Sequence, residues 1–181
     1  MKTTLCGLAA IVALVIAVAG GRSSSAQEKH TLHGQSDGES SPIYGVKIPA
    51  GYRDWKLISV GHVGGGNNDL RAKLGNDIAI KAYREGTLPF PDGAIIARLA
   101  WHAVTSDENN KALGDTNSSV AGSATNLEFM VKDSKKYAST GGWGFAQFTD
   151  GKADSEALHK TCFPCHGPAQ DNDFVFTRYA P

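Results

Sequence analysis

Cysteine is scarce in this 181-residue chain: there are three, two of them inside one pentapeptide, too few for a disulfide framework. Net charge is missing as well. Eighteen basic and eighteen acidic side chains cancel, and without a basic stripe the chain lacks the electrostatic footprint of a nucleic-acid binder. The glycines at 64–66 have no Lys-Ser/Thr tail behind them, which excludes a phosphate-binding loop there. No internal repeat is present, and 19.1 kDa suffices for one sizeable core rather than two. Methionine is almost absent, limited to Met1 and Met130.

What is present begins with an export signal. Lys2 precedes an uncharged stretch that is apolar from about Leu5 to Ala19, and small residues lead up to Ala26, the expected cleavage point. Residues 1–26 are therefore read as a signal peptide, with a retained membrane anchor as the rival reading. Cleavage would remove Cys6 and send the chain to the periplasm without a membrane tie. Residues 27–41 are Ser, Gly, Gln and charged side chains with almost nothing apolar, a composition that cannot offset the entropy of ordering, and are expected to form a flexible leader. The folded domain is expected over 42–181.

Within that domain the patterning predicts α+β architecture, a mostly antiparallel sheet of about five strands with a few short helices. Strand patterns cover 55–63, more weakly 70–74, then 94–104, 125–132 and 143–148. In the clearest of them Ile95, Ala97, Leu99 and Trp101 alternate with Ile96, Arg98, Ala100 and His102, so one face belongs to a core. Asn76 is a good cap for a short helix that Gly86 would stop. Residues 89–93 read as a Pro/Gly turn, 105–122 as a polar loop, and 153–160 as a helix leading into the cysteines.

Those cysteines form Cys162-Phe163-Pro164-Cys165-His166. Cys-x-x-Cys-His is the attachment sequence of c-type haem, in which two thiols add to the porphyrin vinyl groups and the histidine ligates iron. Zinc would need a fourth ligand and finds no second cysteine pair. A thioredoxin-type pair has the right spacing, but that fold places it early, with most of the sheet still to come. An inert disulfide leaves His166 unexplained. The expectation is one covalent haem c near the C-terminus, with His166 as metal ligand and Cys162 and Cys165 as tethers. For the opposite coordination position Met130 sits mid-strand, and His62 and His102 are the remaining internal candidates, so an open or water-bound position is expected.

Further segments carry a resemblance. Gly51-Tyr52-Arg53-Asp54-Trp55, Asp69-Leu70-Arg71, Pro91-Asp92-Gly93, Leu127-Glu128, Val131-Lys132-Asp133, the Trp143 strand, the pentapeptide and Phe174-Val175-Phe176-Thr177-Arg178 follow in one order. With them the chain resembles the cytochrome P-460 family and the related cytochromes c′-beta. The resemblance implies a largely antiparallel β fold, a homodimer and five-coordinate iron. It also implies, for hydroxylamine-oxidising members, a lysine joined to the haem ring and a proton-handling carboxylate. The carboxylate position falls on Glu128 and the lysine position on Arg98. A guanidinium stays protonated where an amine can act as a nucleophile, so no ring cross-link is expected. Arg98 would instead donate hydrogen bonds to a bound nitrogen oxide or pair with Glu128. Arg71 is read as a haem-propionate partner or a solvated strand charge.

Three functions follow as expectations: oxidation of hydroxylamine, with NO as co-substrate and a diffusible electron-transfer cytochrome as acceptor; capture of NO without turnover; or, with least support, simple electron carriage.

Overall fold

In a computed structural model, residues 39–114 and 117–180 are described. The signal peptide and nearly all of the leader lie outside them. Ser41, assigned to the leader by composition, belongs instead to the fold: it is buried, its hydroxyl donates to the Phe145 carbonyl at 3.1 Å, and it accepts from Val46 N–H.

Among the described residues six strands form one antiparallel sheet in chain order: β1 (Lys56–Val63), β2 (Asp69–Gly75), β3 (Ile95–Thr105), β4 (Ser119–Lys132), β5 (Trp143–Thr149) and the two-residue β6 (Lys152–Ala153). Among the described residues the α-helices are α1 (Asp77–Glu85) between β2 and β3, α2 (Asp107–Leu113) between β3 and β4, and α3 (Glu156–His166) after β6. This is the α+β antiparallel architecture the patterning predicts, with β6 as the additional strand. Among the described residues no helix is long and apolar enough to cross a membrane.

Local chemistry sets the boundaries. Asn76 Oδ1 accepts from Ala79 N–H and Ile95 N–H, both at 3.0 Å, so one cap starts α1 and holds the entry to β3. Gly86 ends α1 at φ 65°, a conformation a β-carbon would strain. The loop expected over 105–122 is not all loop. Ser106 caps α2 by accepting from Asn109 N–H, Gly114 closes it in the left-handed region, and β4 begins at Ser119. Short and polar, α2 buries no residue and so shows no apolar period.

Both faces of the sheet centre are closed. Ala97, Leu99, Phe129, Ala146 and Phe148 are buried, and Tyr52 meets Phe129 edge-on at 5.4 Å. The alternate residues form two rows in register, Lys73, Arg98, Glu128 and Gln147 in one, Gly75, Ile96, Met130 and Phe145 in the next. Side chains of these rows line a cavity that α3 and the C-terminal segment cover. The face of β3 opposite the expected core is therefore a cavity wall.

Candidate functional site

The cysteine motif is itself helical. Residues three and four apart share one helix face, so α3 presents Cys162, Cys165 and His166 together, and all three line the cavity. Ser155 caps the helix through Leu158 N–H, and Pro164 sits in the last turns. His159, close to the cysteine motif in sequence, is fully buried. It accepts from Gln147 N–H through Nε2 (3.1 Å) and donates from Nδ1 to the Ser155 carbonyl (2.9 Å). It thereby satisfies an N–H of β5 that β6 does not reach, and bolts α3 to the sheet.

His166 is committed through one nitrogen. Nδ1 donates to the Phe174 carbonyl at 2.7 Å, which leaves Nε2 as the lone-pair nitrogen, and the rings of Phe145 and Phe176 stand 5.0 and 5.3 Å away. The Phe174 carbonyl is fixed in turn. Asp173 and Phe174 are both left-handed (φ 52° and 63°), and the turn is held by a buried ion pair. Lys132 Nζ donates to both Asp173 oxygens (2.8 and 2.9 Å) and to the Gly141 carbonyl (2.9 Å), over the Trp143 ring. Asp173 also accepts from Phe90 N–H, and its carbonyl accepts from Trp143 Nε1–H. Gly141 must be glycine here: a β-carbon would lie 2.2 Å from the Phe174 ring.

On the sheet wall, Arg98 and Glu128 face each other in register and close on one another. Arg98 Nε donates to Glu128 Oε2 at 2.6 Å, one terminal nitrogen donates to Oε1, and that nitrogen also reaches Asn126 Oδ1 at 2.9 Å. Of the two roles expected for Arg98, the geometry displays the ion pair. Arg71 lines the same cavity, bonded to Asp69 Oδ2 at 3.0 Å. Lys73 and Gln147 complete the row and were missed in the sequence, although Arg71 and Lys73 alternate with Leu70, Ala72 and Leu74 in a way that puts both on one face.

Two further placements concern coordination. Met130, placed mid-strand by the sequence, has its side chain in the cavity wall. His62 and His102 are not among the lining residues: His62 bonds Asn68 at 2.9 Å beyond the β1–β2 turn, and His102 stands opposite Asp69 at the same end of the sheet.

The donor set fits a haem. The cavity encloses about 610 Å³, within the range of roughly 300–1,000 Å³ for small-molecule and cofactor sites. Two free thiols and a pre-oriented imidazole face an interior shared by Ile96, Met130 and Val175. Burial above all, then the Glu128 and Cys165 charges, pushes the Cys162 thiol up to about 11. A dithiol of the thioredoxin kind needs the opposite shift. Among the described residues no three His, Cys, Asp or Glu side chains converge to hold a metal ion directly.

No curated protein matches the chain in sequence. The sequence model of one family, described as Cytochrome P460, matches residues 49–177, from just before the first strand to the segment covering His166, and implies a haem cofactor. By that match over most of its length, the chain belongs to the cytochrome P460 family.

Proposed function

We propose that the chain is a periplasmic mono-haem c protein that binds small nitrogen oxides and oxidises hydroxylamine, passing electrons to a diffusible cytochrome. The observation that carries the reading is the helix face on which Cys162, Cys165 and His166 meet the cavity, with His166 Nδ1 already engaged by Phe174. Cys162 and Cys165 would tether the ring, and Nε2 of His166 would hold the metal. A bound haem supplies an iron that takes a small ligand and exchanges single electrons.

The other steps belong to the chain. Withdrawing electrons from hydroxylamine releases protons, and Glu128 is the cavity carboxylate able to receive them. Both its oxygens accept from Arg98, each keeping a second lone pair for an incoming proton, and Asn126 shares the guanidinium. Ile96, Met130 and Phe145 keep the surrounding wall apolar. The closed Arg98–Glu128 pair also favours a second reading, capture of NO without turnover.

Stopped-flow mixing of the holoprotein with hydroxylamine and an artificial oxidant separates the two. Oxidant reduction above a haem-free control is expected; its absence leaves capture alone. The ferrous spectrum should be that of ordinary high-spin haem c, and a strongly red-shifted Soret band would overturn the absence of a ring cross-link. Chains that stay colourless after expression with a haem-attachment system would remove the reading altogether.

A further inference from the structure

Four residues with formal charges line the cavity away from the helix: Arg71, Lys73, Arg98 and Glu128. Three have partners. Arg98 and Glu128 engage each other, and one end of Arg71 engages Asp69. Lys73 has no hydrogen-bond or ion-pair partner among the described residues, and Nε of Arg71, a buried atom, has none either.

The strand explains why both donors are left over. Arg71 and Lys73 lie two apart on β2 and project from one face. In register with Arg71 stand Gly61 on β1 and Ala100 on β3, neither with a side chain able to accept. In register with Lys73 stand Ser59 on β1, to which it makes no hydrogen bond, and on β3 the cation Arg98, itself paired with Glu128. The bare Gly61 leaves space into which the amine extends, since a β-carbon there would come within 3.1 Å of Lys73 Nζ. Burial first, then the Arg71 and Arg98 charges, lowers the Lys73 pKa, which is the electrostatic sign of a cation lacking its counter-charge. Buried donors are normally satisfied, so the bare Nε of Arg71, with the half-buried and unpaired Lys73 amine beside it on the cavity wall, calls for an acceptor from outside the chain.

We propose that Lys73 and Arg71 Nε form a subsite for an anionic oxygen group inside the cavity, filled by a carboxylate of the porphyrin or by a free oxyanion of the nitrite class. The subsite rests on the haem reading above and adds to it a selection by charge. A monoanionic oxygen group meets an uncompensated cation here, whereas a neutral ligand gains nothing from it.

The test uses ferric holoprotein, titrated optically with nitrite and separately with imidazole as the neutral control, in wild type, Lys73→Met and Lys73→Arg, alongside resonance Raman spectra. If the site takes a free oxyanion, Lys73→Met weakens nitrite binding about tenfold or more, leaves imidazole unchanged, and Lys73→Arg restores most of the loss. If it takes the porphyrin carboxylate, nitrite affinity stays put while the propionate bending band moves in Lys73→Met and returns in Lys73→Arg. Variants with wild-type haem content in which neither property changes overturn the subsite. Lys73→Gln, which keeps a polar chain of nearly the same length without the charge, serves if Lys73→Met fails to fold. Failure of the haem reading is recognised separately, by wild-type protein that carries no haem.

Discussion

The two walls of the cavity are built on opposite principles. Around His166 the polar groups are tied in series: the imidazole to the Phe174 carbonyl, the turn beneath it to Asp173, and Asp173 to Lys132, Phe90 and Trp143. Across from it the sheet wall carries one closed pair, Arg98–Glu128, and beside it an amine with nothing to hold. A group that holds a metal must not move, and fully satisfied buried networks give that rigidity. A wall that receives a ligand has to keep donors in reserve. Under the haem reading proposed above, the first would be the holding side and the second the receiving side.

The largest effect should come from breaking the holding side. Lys132→Met leaves the Asp173 carboxylate, only 8% exposed, without its ammonium, and should cost about 3–5 kcal/mol in urea unfolding. Adding Asp173→Asn should recover part of that loss. Because Phe174 follows Asp173, the resonance Raman iron–histidine stretch of the holoprotein should also shift. A loss below about 1 kcal/mol with an unmoved stretch would mean that the ion pair does not anchor His166.

On the receiving side stability should barely respond while chemistry does. The Arg98–Glu128 pair is partly exposed, so Glu128→Gln should change stability by less than about 2 kcal/mol. It should slow hydroxylamine turnover by roughly 10² to 10⁴ if Glu128 is the base. An unchanged rate would remove Glu128 from the chemistry and reduce the wall to a binding surface.

How much of this contrast the sequence reveals follows from the range of the interactions. Strands and caps are local, and the alternation in β3 together with Asn76 and Gly86 marks them. The helix face of the motif is also local, since the spacing of Cys162, Cys165 and His166 matches a helical turn. Helix α2 escapes because a seven-residue polar helix has no apolar stripe, although Ser106 and Gly114 bracket it. The link from Lys132 to Asp173 spans 41 positions and has no periodic signature. Lys73 was readable from β2 alternation, but what singles it out, the missing partner, depends on Ser59 and the cation Arg98 arriving on either side of it.

The smallest effect tests the junction of the two walls. In the haem-free chain Cys162 is a half-buried thiol pushed up to about 11, chiefly by burial and then by the charges of Glu128 and Cys165. At pH 8 it should react with iodoacetamide about tenfold more slowly than exposed Cys165, and the gap should narrow as pH climbs towards about 11, read by mass spectrometry of each peptide. Folding must share that penalty. The unfolded thiol ionises near 9 and the folded one near 11, so the contribution is complete below the first value and lost as pH rises through the second. Water at this partly buried site limits it to about 2 kcal/mol or less. Glu128→Gln removes one of the charges, so Cys162 should then react faster, tying the carboxylate of one wall to the thiol proposed as a tether on the other. If Cys162 instead outpaced Cys165 near neutrality, its environment would be that of a redox thiol, and the dithiol alternative for this motif would return.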